Sequence, residues 1–437
     1  MSTIPQNEGA DWLTSSKFAV SSLVSRVFSF HGQAVYRGLE AGIAKKSFRN
    51  RLVFKSVSMF GRSRLGNMAL LALFIIWGRN FEEPAEGQAV FQYGPTRNNQ
   101  EAFRRFNESL DEDIRALMGR AGRKAPVRRR LFVAIGIRSL WSASCALWRQ
   151  RHSGALPQLQ ALHATAAYLF YAFYPFPSSV RLLSVASDHS PVVMAMLAMA
   201  KRNGLPTCYV QHAPVTEYFP PLDFDLSVLY DQASVEAYEL AAQKQNRKIG
   251  GDIVILPPFA SDYMRPRMSR NRTLNVGMCL SSIPQTERLI AFSRKIVDHP
   301  NVSTLYWRCH PRFQLEAPDV HGTKRILVQE RGGSLEAFLE KVDIVLVPNS
   351  GVGVESLHNG KPTFYVDGMD DIPRDYYKFV ESGILPEFEW GVLDNASGID
   401  EHFDASWEEQ FSRYDATVKV STTSAGKRVS DAVRRLL

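Results

Sequence analysis

From Arg181 onward the chain alternates short apolar segments with amphipathic ones of about ten to fifteen residues, and it does so twice. In the first series Arg181–Ala186 (RLLSVA), Thr207–Gln211 (TCYVQ), Leu226–Tyr230 and Asp252–Leu256 (DIVIL) read as strands, with helices over Pro191–Lys201 and Asp231–Gln245. In the second, Leu274–Leu280, Ser303–Arg308, Arg325–Gln329, Asp343–Val347 (DIVLV) and Pro362–Val366 (PTFYV) read as strands, with helices over Gln285–Val297, Leu335–Lys341 and Val352–His358. Between them Pro257–Arg272 (PPFASDYMRPRMSRNR) is rich in proline and arginine and has no apolar period, as an interdomain linker would be. Strands alternating with helices predict parallel, doubly wound sheets. The expected class is therefore α/β, with two Rossmann-like domains in tandem. Ligands of such sheets bind beyond the carboxyl ends of the strands, so two facing sheets place the site in the cleft between domains.

The chain before Arg181 reads differently. Val20, Leu23, Val24, Val27 and Phe28 recur at helical spacing, and Val35, Leu39 and Ile43 continue in steps of four. Ten basic residues and one acidic residue, Glu40, lie between Lys17 and Arg64. This basic helical extension either packs into a core or lies on an anionic membrane surface. Met68–Trp77 (MALLALFIIW) falls short of the about 20 apolar residues needed to span a bilayer and reads as a buried strand or core helix, with a re-entrant or interfacial segment as the alternative. A strand is expected at Gln88–Tyr93 and helices near Gln100–Leu117, Leu131–Trp148 and Gln158–Tyr174. The expected division is a basic amphipathic segment over 1–65, an N-terminal Rossmann-like domain over 66–256, a linker over 257–272, a C-terminal Rossmann-like domain over 273–415 and a closing helix over 416–437.

The formal net charge is +8, and Gly119–Arg130 (GRAGRKAPVRRR) adds a second basic cluster. Such an excess suits nucleic acid, anionic lipid or acidic substrates. The sequence carries none of the RNP, KH or helix-turn-helix patterns, so nucleic acid is not an expected partner. Cys145, Cys208, Cys279 and Cys309 form no CxxC clip, and the N-terminus lacks a leader pattern. Reduced thiols and a cytoplasmic chain, peripheral on the inner membrane, are expected.

Four strand ends carry the candidate chemistry. In Val347–Pro362 (VPNSGVGVESLHNGKP) a strand ends in a small polar turn that opens a helix. Asn349, Ser350 as N-cap and Gly351 would hold phosphate, and Glu355 would accept from ribose hydroxyls. The plain alternative is a capped strand–turn–helix. In Trp307–Phe313 (WRCHPRF), Arg308 and His310 leave a strand end with cationic or hydrogen-bonding side chains suited to a diphosphate; a packed basic pair is the alternative. In Gly204–Pro214 (GLPTCYVQHAP), His212 emerges from a strand, and Asp188 and His189 of Ser187–Ser190 leave the preceding one. Any of these three is a candidate base for an acceptor hydroxyl, with Glu217 and Asp223 next in line. Asp188 reads equally as a capping carboxylate and His212 as a structural histidine. Asp223-Phe224-Asp225 spells a metal motif but precedes its strand, so neither a metal nor a cofactor is expected.

The strand ending in Gln211-His212, the Arg308-x-His310-Pro311 strand end and the Asn349-Ser350-x4-Glu355-x4-Gly360-Lys361-Pro362 turn occur in one order over about Arg181–Gly383. That set resembles the GT-B glycosyltransferases of bacterial surface polysaccharides: the Kdo-transferase type of capsule enzyme, polysialyltransferases and teichoic-acid glycerophosphotransferases. The resemblance implies that His310 and Ser350 hold donor phosphate and that His212 or Asp188 is the base. It departs where members carry QHG and this chain has Ala213, and the acidic pair of the polysialyltransferases is missing. The expected activity is transfer of a sugar or polyol phosphate from a nucleotide-activated donor, CMP- or CDP-linked, to a glycan or glycolipid acceptor. The alternatives are a nucleotide-sugar 2-epimerase of the same fold and a non-catalytic membrane- or nucleic-acid-binding protein.

Overall fold

The structure, a computed structural model, describes residues 9–31, 33, 48–76, 81–84, 87–118, 123–124, 129–151, 154–173, 175–259, 261–268, 273–310, 315–316, 325–330, 332–420 and 422–437. Val35, Leu39, Ile43, Trp77, Tyr174, Pro311, most of the Gly119–Arg130 cluster and the linker residues 260 and 269–272 lie outside them.

The first sheet is five parallel strands: β1 (Val90–Tyr93), β2 (Leu182–Val185), β3 (Thr207–Val210), β4 (Leu226–Leu229) and β5 (Asp252–Ile255), hydrogen-bonded in that order. β1 to β4 are buried at every position, as near-continuous apolar runs of a doubly covered parallel sheet are. Alternate residues serve opposite faces. Phe91, Leu183 and Tyr209 pack under α1 (Gly9–His31), α3 (Arg64–Ile76), α6 (Arg129–Arg149), α7 (Ala155–Phe173) and α8 (Pro191–Arg202). Val90, Leu182, Cys208 and Leu226 pack against α4 (Arg97–Ser109), α5 (Glu112–Leu117) and the C-terminal helix α15 (Thr422–Leu436). Helices cover both faces, as a doubly wound sheet requires, although the five strands follow one another in chain order without a reversal. α15 returns from the end of the chain to complete the second face. Arg434 pairs with Asp111 and Asp113, Arg435 pairs with Asp252, and a Cβ on Gly426 would meet the Ser109 carbonyl oxygen at 2.4 Å.

The second sheet holds β6 (Leu274–Cys279), β7 (Val302–Arg308), β8 (Arg325–Val328), β9 (Ile344–Val347) and β10 (Thr363–Tyr365), all parallel, in the order β8-β7-β6-β9-β10. Its order does reverse, between β6 and β9, and that reversal is the switch point at which such sheets bind ligands. Trp307 is fully buried and donates its indole N–H to Ser293 of the helix Thr286–Asp298. The linker residues that are described belong with this half. Met264 N–H donates to the His358 carbonyl, Arg267 N–H to Gly360, and Arg265 Nε to Phe403. Two Rossmann-like domains in tandem are thus the fold, with a helical N-terminal part.

The apolar stripe of α1 decides one expectation. Val20, Leu23, Val24, Val27 and Phe28 are buried in the first core, so this stripe packs inward and does not lie on a membrane. Met68–Ile76 of the apolar run is helical, within α3. Among the described residues no helix is long and apolar enough to cross a membrane.

Candidate functional site

The carboxyl ends of both sheets open into one cavity of about 620 Å³ between the domains. From the first domain it is lined by Glu101, Arg105, His212, Glu217 and Asp231, and from the second by Arg308, His310, Asn349, Ser350, Gly351, Glu355 and Lys378, among others.

His212 owes its place to the residue before it. Gln211 is completely buried; its amide Nε2 donates to the Ala213 carbonyl and to Ser234 Oγ, both at 2.9 Å, and its Oε1 accepts from Tyr230 N–H at 2.8 Å. This brace turns the chain after β3 so that His212 leaves toward the cleft. Ala213 has no left-handed φ, so a glycine is not needed there for the backbone.

Asp188 does not reach the cavity as a base. Its Oδ1 lies 2.6 Å from His189 Nδ1, its Oδ2 accepts from the Tyr238 hydroxyl at 2.7 Å, and the residue is buried. Burial opposes the carboxylate, but His189, Tyr238 and the charge of nearby His212 outweigh it and hold the group below the usual carboxylate range. Both Asp188 oxygens are thus engaged within the core, by His189 and Tyr238. His189 is held against Phe30 and Phe219, at ring distances of 5.0 and 4.9 Å, and does not line the cavity either.

On the other wall, Arg308 Nη1 donates to Gln329 Oε1 and to the carbonyls of Gly333 and Ser334, so it also ties the end of β7 to the loop after β8. The helix after β9, α12 (Val352–His358), is capped at Gly351 rather than at Ser350, yet Ser350 Oγ still accepts from Val352 N–H at 3.3 Å. Gly351 is required by a close approach: a Cβ there would meet the Pro214 ring of the other domain at 2.9 Å. Asn349 is spent internally. Its Nδ2 donates to the Pro373 carbonyl, Asp370 and Tyr365, and its Oδ1 accepts from Tyr376 N–H. It shapes the loop over the cavity and has no amide group left for a phosphate. Glu355 lines the cavity; burial pushes its carboxyl up, against the pull of Arg105 and Arg308.

Several cleft residues were not foreseen. Arg105 reaches in from α4, paired with Glu101 at 3.0 Å, and acts on Glu355 from the opposite domain. Tyr218 stacks on Tyr376 at 5.9 Å, and Glu217, foreseen only as a reserve base, instead bridges Lys244 at 2.8 Å and Lys378, across the domains, at 3.3 Å. No sequence motif marks these, because they are brought together only when the domains face each other. Asp231 had a signal, an acid directly after a strand, and it caps α9 (Gln232–Lys244) by accepting from Ser234 N–H at 2.7 Å. The Asp223-Phe224-Asp225 acids are occupied: Asp223 pairs with Lys201, Arg26 and Arg247, and Asp225 Oδ2 accepts from Thr207 N–H and Oγ1.

Burial pushes the Asp231 carboxyl up to about 7, with Asp415 and Glu236 adding repulsion against the hydrogen bonds from Ser234. Its ordinary value is 3.8, so between the two the native state holds the extra proton. The stability from this group is full below the lower value and is lost as pH rises through the upper one. Asp231→Asn keeps a capping oxygen and removes the ionisation. The variant is expected to gain on the order of 1 kcal/mol over the parent at pH 8 and little at pH 5. Thermal melts at the two pH values check this, and an equal difference at both counts against it.

No protein-family model matches the chain, and no curated protein does. Among solved structures, S. aureus MnaA in complex with UDP is similar at 13% identity and a TM-score of 0.46, covering 80% of this chain and 96% of that one. The glycotransferase of kitacinnamycin is similar at 14% identity and 0.44, covering 82% and 100%. Acinetobacter baumannii MurG is similar at 13% identity and 0.36, covering 64% and 80%. These likenesses are too distant to assign a residue or a reaction.

Proposed function

We propose that the chain is a metal-independent glycosyltransferase, or polyol-phosphate transferase, that takes a CMP- or CDP-linked donor in the second domain and a glycan or glycolipid acceptor in the first. The observation that carries the reading is the single cavity shared by His212 of the first domain and Arg308, His310, Ser350 and Glu355 of the second. In this reading the acceptor oxygen attacks the transferred group, forming the new C–O or P–O bond. The bond to the nucleotide phosphate breaks, and its electron pair leaves with the phosphate. His212 takes the acceptor proton, and Asp188, buried close by, favours the imidazolium that results. Arg308, His310 and the Ser350 turn meet the charge that develops on the leaving nucleotide. Glu355 is placed to accept from the ribose. The acceptor half would comprise 66–256 with α15 laid on it, the donor half 273–415, and the enzyme would work at the anionic inner-membrane surface.

A panel of CMP, CDP, UDP and GDP in thermal melts tests the donor. A ligand that binds only the native state stabilises by about 2.7 kcal/mol at a hundredfold excess over its Kd. The cytidine nucleotides are expected to raise the Tm most. No shift with any nucleotide would reject the donor site, and turnover of a UDP-sugar without acceptor would favour the epimerase.

A further inference from the structure

We propose that the outer face of α2 (Phe48–Phe60), α3 and α6 docks the protein on an anionic lipid bilayer. An ordinary surface helix has one apolar stripe, and α2 has two. Phe54 and Val57 point into the core, while Phe48, Leu52 and Met59, on the opposite face with Lys55, are 76%, 55% and 58% exposed. α3 and α6 repeat the pattern with Leu65, Leu73 and Ile76, and with Ile137 and Trp141. Ten of the thirteen large apolar side chains exposed among the described residues stand on these three helices. All three pack against α7, and α3 packs against both α2 and α6, so their outward stripes share the side away from α7.

The charge of these helices is one-sided: α2, α3 and α6 together contain eight Lys and Arg and no Asp or Glu. The face thus combines apolar groups, an exposed tryptophan and long cationic side chains without a single carboxylate from its own helices. That composition complements lipid headgroups and the acyl boundary beneath them. A second copy of the chain is a poor occupant, because a two-fold contact would set one cationic face against another. The stripe of α1 on which a membrane contact was first expected is in the core, and the exposed stripes of α2, α3 and α6 take its place. The proposal deepens the reading above by naming where a membrane-borne acceptor would be met. It rests on that reading for the acceptor alone, since lipid binding is measured without substrates.

Co-sedimentation of the full chain with vesicles of phosphatidylglycerol and phosphatidylcholine, against phosphatidylcholine alone, tests it. Binding is expected only to the anionic vesicles and is expected to fall with salt. Leu52→Glu/Met59→Glu is expected to lower the partition coefficient at least about tenfold. Arg51→Glu/Lys55→Glu is expected to lower it by roughly fivefold or more for each residue. Leu327→Glu, exposed on the second domain, is expected to change nothing. If the α2 variants melt abnormally, Ile137→Ser/Trp141→Ser on α6 reads the same face. Absence of binding by the parent, or unaltered binding by variants with a normal melt, overturns the proposal. So does a concentration-dependent dimer that these substitutions abolish, which would assign the face to self-association. Nucleotide-induced melting shifts, measured on the same variants, report the cleft separately, so failure of either reading is visible alone.

Discussion

His212→Ala is expected to lower turnover by about 10²–10⁴-fold while leaving nucleotide affinity unchanged, the contribution usual for a general base. His310→Ala should do the reverse in binding: a charge-assisted bond to phosphate contributes about 1.5–3 kcal/mol, so nucleotide affinity falls by roughly tenfold or more. The separation follows from the two walls of the cavity, His212 standing on the first domain and His310 on the second. Asp188 offers a control. Its oxygens are taken by His189 and Tyr238, and its charge acts on His212 from behind. Asp188→Asn should therefore reduce kcat less than His212→Ala and, by weakening the imidazolium, move the acid limb of the pH–rate profile to lower pH. An active His212→Ala enzyme would remove the histidine from the chemistry. A His212→Ala enzyme that loses nucleotide affinity as well would place His212 on the donor.

How far this site was legible depends on the range of the interaction concerned. Strands β1 to β10, the positions of His212, Arg308, His310 and Ser350 at strand ends, and Glu355 in the helix after its strand follow from local apolar patterning, which a parallel sheet buried on both faces imposes on each strand separately. The expected common cleft for these residues follows from topology, and all five line one cavity. What failed was partner choice. Asn349 looks like a phosphate donor because it sits in a polar turn, but Asp370, Pro373 and Tyr376 from a distant loop consume it. Asp188 emerges from the right strand end, and Tyr238 of a later helix holds it in the core. The stripe of α1 and the outward stripe of α2 have the same spacing, and only packing on α7 tells which is inside. α15 is amphipathic on its own evidence, but nothing local says that it crosses back to the first sheet.

Asp415→Ala is expected to cost about 3–5 kcal/mol of stability, the usual result of removing one partner from a buried polar pair. Asp415 and His358 are both fully buried, with Oδ2 and Nδ1 2.7 Å apart. The pair ties three separate segments. His358 ends α12, its Nε2 lies 2.8 Å from Ser261 Oγ of the linker, and its ring stacks on Phe259 at 4.1 Å. Asp415 precedes α15 and accepts from Thr417 N–H and Oγ1 at 3.0 and 2.6 Å. Thus one side-chain pair joins the linker, the second domain and the start of the return to the first. Removing the carboxylate leaves the imidazole Nδ1 with only the Thr417 hydroxyl, at 3.4 Å, and takes the cap from Thr417 N–H. His358→Leu/Asp415→Leu, which takes both polar groups away together, should cost much less than the sum of the single changes. Urea unfolding of the single and double variants measures this coupling. A loss below about 1 kcal/mol in Asp415→Ala would make the pair an ordinary surface-strength contact. The same carboxylate also repels Asp231, so Asp415→Ala should shift the Asp231 titration step to lower pH. That shift would link the junction of the domains to the cleft wall through charge alone.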